Sequence, residues 1–165
     1  MMDNAKRLIF DRIDRHILEA LQKNSRISNV ELAQAVGLSP APCLRRVQAL
    51  EKAGVIEAYV ALVDKRKVNL GVEAFINVQL SAQGKSVMDP VEATIRCFPE
   101  VLACYVMTGD WDYLLHVVAQ DMDAIQQFLQ DNLSQIPGVM RIKTSFAVRR
   151  VVRNTSVPLY HLDDR

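Results

Sequence analysis

The sequence predicts an α+β chain of two parts, three short helices followed by a unit of order β-α-β-β-α-β. Three observations predict it. Capped stretches with apolar residues at helical spacing fill the first sixty residues. The apolar period falls to two after Gly54. Beyond Gly71, alternating and helical stretches take turns, punctuated by Pro and Gly. The expected divisions are residues 1–60, a hinge strand or linker over 61–71, a second domain over 72–152 and a tail over 153–165.

The first helix opens at Asp11, a good N-cap. It carries Ile13, Ile17, Leu18 and Leu21 at helical spacing and stops at the Asn24-Ser25 turn signal. The second starts with a capping box, Ser28 to Glu31, in which hydroxyl and carboxylate each reach the other's backbone N–H. Val30, Leu32, Ala33 and Val36 are expected on its buried side, and Gly37 suits a left-handed C-terminus. The third takes Ser39 as N-cap and Pro40 at the first helical position, where its missing N–H costs nothing. Cys43, Leu44, Val47 and Leu50 form its apolar side. Ala41, Arg45, Gln48 and Lys52 project the other way, with Arg46 at the edge. Gly54 ends it. Val55 to Val63 then reads as a strand leaving the helical unit, and Asp64 to Leu70 as a charged linker.

In the second part, Ala74, Ile76, Val78 and Leu80 alternate with Glu73, Phe75, Asn77 and Gln79 as a strand. Residues 81–86 turn, and a helix with Val91, Ile95 and Phe98 runs from Val87 until Pro99 stops it. Val101 to Met107 and Trp111 to Ala119 are strands around a tight Gly109-Asp110 turn. Asp121 caps a helix that buries Ile125, Phe128, Leu129, Leu133 and Ile136. A last strand runs from Val139 to Val152 with Met140, Ile142, Phe146 and Val148 on one face. The order is ferredoxin-like. Two helices cover one face of such a sheet, and a second copy of the sheet is the simplest cover for the other.

Composition is that of a folded domain: 50% hydrophobic and 24% charged. No apolar run reaches the ~20 residues that span a bilayer, and MMDNAKRLIFDRIDRHIL is not a secretory signal, so the expected location is the cytoplasm. Cys43, Cys97 and Cys104, an odd and scattered set, argue against a disulfide framework or zinc and read as buried or half-buried residues. The net charge of +1 is nearly neutral on nucleic acid. Residues 1–60 hold nine Lys/Arg against seven Asp/Glu, and the rest eleven against twelve. That distribution permits DNA binding without demanding it.

Two short helices joined by a glycine turn, Ser28 to Lys52, form the strongest functional signal. A helix-turn-helix lays its second helix in the major groove, with the N-terminal half on base edges. Ser39, Pro40 and Ala41 lie where bases are approached, with Ser28 and Asn29 at the start of the preceding helix. Arg45 and Gln48 have the reach to read G or A. Arg46 and Lys52 are expected on phosphates. The same pattern fits an ordinary three-helix bundle with a solvated face.

The stretches FDRIDRHILEALQKNSRISNVELAQAVGLSPAPCLRRVQALEKAGVIEAYVALVD and MTGDWDYLLHVVAQDMDAIQQFLQDNLSQIPGVMRIKTSFAV resemble the Lrp/AsnC (feast/famine) family, and most of all its leucine-responsive branch. The likeness runs from about Phe10 to Val152. It implies a winged helix-turn-helix followed by a ferredoxin-like domain. It also implies double-stranded DNA as partner, nucleoid association, and control of genes for amino-acid metabolism or transport. Dimers paired sheet to sheet, commonly assembled into octamers, are implied as well. Ala41 stands where relatives usually carry Thr or Ser, so one hydroxyl contact is absent.

An amino-acid effector presents a carboxylate, which needs N–H groups or a cation, and an ammonium, which needs carboxylate or carbonyl oxygens. A glycine turn flanked by Asp110 and Asp112 supplies both. Family members bind their ligand near this turn, in clefts between dimers. By position that implicates Thr108, Gly109, Asp110, Trp111, Asp112 and Tyr113, with Asp112 leading and leucine the favoured effector. The turn is also readable as a bare hairpin, with Trp111 and Tyr113 as core or interface aromatics. No cofactor or metal is expected: His16, His116 and His161 lack metal spacing. No glycine-rich nucleotide loop or nucleophile motif occurs. The competing reading is an amino-acid-binding module or small metabolic enzyme on the ferredoxin-like fold, which a turnover assay beside a duplex-binding assay separates.

Overall fold

The computed structural model describes residues 10–162. They fall into two compact units. One is drawn from residues up to Ala61 and from Val152 onward, the other from Leu62–Val151.

The first unit holds α1 (Arg12–Lys23), α2 (Asn29–Ala35) and α3 (Pro40–Lys52). Asp11 caps α1 as expected, in a full capping box with Asp14. Ser28 and Glu31 cap α2 reciprocally. The chain then reverses at Gly37, whose φ of +73° lies in the left-handed region that a Cβ disfavours. Ile17, Leu18, Leu32, Ala33, Val36, Cys43 and Leu50 make the core. Val30 and Leu44, expected inside, are 53% and 45% exposed. At about 100° per residue Val30 lies about 200° around α2 from the buried Leu32, so one contact face cannot hold both.

Two expectations for this unit are corrected. Val55–Val63 forms no strand. The segment is apolar at the right spacing, but a strand is defined by ladder bonds, and among the described residues nothing pairs with it. The described residues after Val152, expected as a tail, group with the helices. The Gln22 side-chain amide both accepts from the Val157 N–H (2.7 Å) and donates to its carbonyl (3.3 Å), as a neighbouring strand would. Leu159 packs on the helical core beside Phe10 and Ile13.

The second unit opens with a 3-10 turn, Lys65–Val68, capped by Asp64. Then follow β1 (Val72–Leu80), α4 (Lys85–Ile95), β2 (Val101–Val106), β3 (Tyr113–Ala119), α5 (Met122–Gln127) and β4 (Val139–Phe146). The sheet is antiparallel in order β2-β3-β1-β4, the ferredoxin-like order. Ala74, Ile76 and Val78 of β1 and Tyr113, Leu115 and Val117 of β3 are fully buried under Val91, Ile95, Ile125, Phe128, Leu133 and Ile136. Each large side chain so buried is worth roughly 1.5–3 kcal/mol.

The helix after Asp121 is less regular than its apolar spacing suggested. α5 widens into a π-helical turn at Phe128–Asn132 and tightens into a 3-10 turn at Leu133–Gln135. That change of pitch keeps Phe128, Leu133 and Ile136 on one side. β4 ends at Phe146, not Val152, and Val148 is 95% exposed. β4 pairs with β1 alone, and their last bond, Ala147 N–H to the Glu73 carbonyl, lies at the start of β1. Of the cysteines only Cys43 is buried; Cys97 and Cys104 are exposed, against expectation, since neither lies on an inward-packed row.

Glu73 on the outer sheet face receives Lys65 (2.8 Å), His116 and Arg150 on one carboxylate. Burial alone would push this carboxyl up. Hydrogen bonds from Lys65, Arg150 and His116 override it and bring it down to about 2 from the ordinary 4.5. A depressed carboxyl stabilises the fold in full above its unfolded value and loses that contribution as pH falls through the folded one. The urea midpoint of this unit should therefore drop between about pH 5.5 and about pH 1, and drop less in Glu73→Gln.

Candidate functional site

Capping and one side-chain bridge build the helix pair. The Ser28 hydroxyl accepts from the Glu31 N–H at 3.2 Å, and the Glu31 carboxylate accepts from the Ser28 N–H at 3.0 Å. Asn29, next in sequence, donates to the Pro40 carbonyl at 2.8 Å and so ties the first turn of α2 to the first turn of α3. Of these two expected surface residues, Ser28 fixes the start of α2 and Asn29 ties it to α3. Ser39 caps α3 by backbone alone; its side chain makes no capping bond and stays exposed.

Along α3, Ala41, Arg45, Gln48 and Lys52 are all exposed and share one flank, as their spacing required. Pro40 is exposed beside them at the first helical position. Among the described residues no ion pair engages Arg45 or Lys52, so both cations face solvent unneutralised. Arg46 does otherwise. Its Nη1 lies 2.7 Å from Asp11 and 2.8 Å from Asp14, at the N-terminus of α1. Arg46, expected on phosphate, thus uses Nη1 to fasten α3 to α1. Its position at the edge of the helix, rather than on the open flank, is the physical reason. Tyr59, in the segment after α3, donates to Glu51 at 2.9 Å, and desolvation with that carboxylate pushes its hydroxyl up to about 12.

In the second unit the loop between β2 and β3 turns at Gly109, φ +103°. Thr108, Gly109 and Asp110 are exposed and Trp111 is half-buried, with the Arg141 guanidinium 5.4 Å from its ring centre. Among the described residues no hydrogen bond engages the backbone N–H of Thr108, Gly109, Asp110 or Trp111. Consecutive free N–H groups at a turn form an anion-binding concavity.

Asp112 and Tyr113 belong to the scaffold. Asp112 is 6% exposed, and its carboxylate accepts from the Leu80 N–H (2.7 Å) and from Gln83 (2.7 Å). Its own N–H donates to the Val78 carbonyl, and its carbonyl accepts from Met107. Tyr113 is fully buried and donates to Glu92 at 3.0 Å. Asp112, expected as the leading ligand contact, thus has its carboxylate engaged within the chain by Leu80 and Gln83, and the exposed carboxylate of the loop is Asp110. Leu80, Gln83, Glu92 and Arg141 touch this loop or its flanking strand, and the sequence carried no signal of those contacts. Gln83 lies 29 residues from its partner in a stretch that reads only as turn.

A model of the Lrp/AsnC ligand binding domain matches residues 73–157, and one of a winged helix-turn-helix DNA-binding domain matches residues 10–57. The chain is 39% identical over 153 residues to the leucine-responsive regulatory protein of Salmonella typhimurium, covering 92% of this chain and 93% of that one. It is 42% identical over 149 residues to the Bkd operon transcriptional regulator of Pseudomonas aeruginosa, covering 90% and 97%. Among solved structures it matches a transcriptional regulator from Neisseria meningitidis in complex with L-Met. There the TM-score is 0.89 and the identity 43%, over 93% of this chain and 99% of that one.

Proposed function

From the premise that this chain belongs to the Lrp/AsnC family of DNA-binding transcription regulators with an amino-acid-binding domain, we propose that it controls genes of amino-acid metabolism or transport. It does so at the nucleoid, in the cytoplasm, under the control of a small amino acid bound between subunits of a homo-oligomer. The observation that carries the reading is the flank of α3. Ala41, Arg45, Gln48 and Lys52 stand exposed on a helix whose start is fixed by Asn29 and whose back is fastened by Arg46. Arg45 and Gln48 read base edges, Ser39, Pro40 and Ala41 approach them, and Lys52 meets phosphate. Ser28 and Asn29 hold the entry of α2.

Lys52→Ala tests the phosphate role. It should weaken all duplexes alike and flatten the slope of log affinity against log salt by about one. A change confined to particular sequences would reassign Lys52 to base contact.

For the effector, the free N–H groups of the Gly109 turn take the carboxylate, Asp110 takes the ammonium, and Trp111 borders the site. Asp112 and Tyr113 hold the loop in place. Leucine and methionine are the first candidates: the first from the leucine-responsive relatives, the second from the L-Met complex of the Neisseria regulator. A thermal-shift screen of the twenty amino acids decides, because a ligand of the folded state raises the melting temperature. Asp110→Ala should lose the shift without losing stability. The outer sheet face, with Phe75 stacked on His116 at 4.8 Å, pairs with a second copy, and dimers assemble into an octamer. Sedimentation equilibrium that returned a monomer at working concentration would refute that assembly.

A further inference from the structure

We infer that Leu44 is a specificity-determining residue that reads the C5 methyl group of a thymine beside the base met by Arg45. The inference rests on the reading that α3 enters the major groove. It adds a base-reading side chain that helical periodicity assigns to the core.

Three observations carry it. Leu44 is 45% exposed, while its apolar companions Cys43 and Leu50 are 0% and 6% exposed. A single exposed leucine is ordinary on a protein surface. This one directly precedes Arg45 in the second turn of α3, within the half of a recognition helix that reaches base edges. At about 100° per residue it lies about 60° from Ala41 and about 40° from Gln48, so it borders the exposed flank instead of opposing it.

Chemistry supplies the second argument. The flank offers a guanidinium at Arg45, suited to guanine, and a carboxamide at Gln48, suited to adenine. What distinguishes thymine in the major groove is a methyl group, and an apolar side chain is its complement. Ala41 is apolar but ends at Cβ. Leu44 is the apolar side chain of this flank with the reach to meet a methyl group.

The third argument is support. Leu44 borders an open, mostly apolar hollow of about 210 Å³ lined also by Leu21, Ser25, Ile27, Asn29, Val47 and Tyr59. Leu44 shares the rim of that hollow with its neighbours and remains 45% exposed, so the side chain is partly bounded by protein and partly open to a partner.

The experiment begins from duplexes that the wild-type protein enriches from a random pool. In the enriched site each thymine is replaced in turn by deoxyuridine, which deletes the methyl group and nothing else. For wild type, one position per half-site should lose affinity about fourfold, the worth of one buried methyl. Leu44→Ala should bind the thymine and deoxyuridine duplexes equally at that position and keep its response to substitutions under Arg45. Leu44→Val, closer in volume, gives the same reading at reduced size if the alanine variant melts early. A protein that enriches duplexes but shows no thymine whose methyl is felt less by the variant than by wild type overturns the proposal. Enrichment of no duplex at all overturns the groove reading, and this proposal with it.

Discussion

Replacing Arg45 and Gln48 together by alanine should abolish the preference of the protein among duplexes while leaving a residual, salt-sensitive affinity for all of them. Each side chain stands exposed on α3, and among the described residues Arg45 has no carboxylate partner to release first. A good bidentate contact to a base discriminates by about 1–3 kcal/mol. Two of them, one helical turn apart, give a loss of specificity on the order of a hundredfold or more. The contribution of Lys52 is electrostatic and indifferent to sequence, so it survives the double substitution. Stability should hold within about 0.5 kcal/mol, because neither side chain is packed. Competition between an enriched duplex and a random one measures the ratio directly. A double variant that still chose between them would place recognition outside α3.

The second large effect is expected at Asp112. Asp112→Ala removes the acceptor of the buried Leu80 N–H and of Gln83 at once. An orphaned buried donor costs about 1–3 kcal/mol, and hydrogen bonds to a charged group about 1.5–3 kcal/mol. The ferredoxin-like unit should lose about 3 kcal/mol, which for a domain of this size lowers the melting temperature by about 10 °C or more. The amino-acid response should vanish with it, although the side chain is placed away from the ligand, because the Gly109 turn is no longer fixed against β1. Asp112→Asn, which keeps one acceptor oxygen, should recover part of both. The contrast with Asp110→Ala is the diagnostic: that variant keeps its stability and loses the response. An Asp112→Ala protein that melted with wild type would return Asp112 to the ligand and remove it from the scaffold.

Features encoded within four residues were legible before any coordinates. The Asp11 and Ser28 caps, the Gly37 reversal, the inward row Ala74–Ile76–Val78–Leu80 and the open flank of α3 all follow from spacing and side-chain chemistry. Features built by distant partners were not. Arg46 sits at a helix edge where either phosphate or carboxylate could meet it, and only the fold brings Asp11 and Asp14 there. Asp112 looked like a ligand because a carboxylate beside a glycine turn carries no mark of what lies above it in space. Glu73 gathers partners from positions 65, 116 and 150, none of them near in sequence. Val55–Val63 has the composition of a strand but, among the described residues, no neighbour to make it one.

The packing of Leu159 against the helical core bears on how the protein is made. The three helices leave the ribosome early, yet one wall of their core is synthesised about a hundred residues later. At about 5–20 residues per second of synthesis, the nascent DNA-reading unit spends roughly five to twenty seconds without it. A chain cut short by a premature stop in the second unit would carry an intact recognition sequence on an incompletely sealed domain. Such fragments should be short-lived in the cell rather than long-lived competitors for operators.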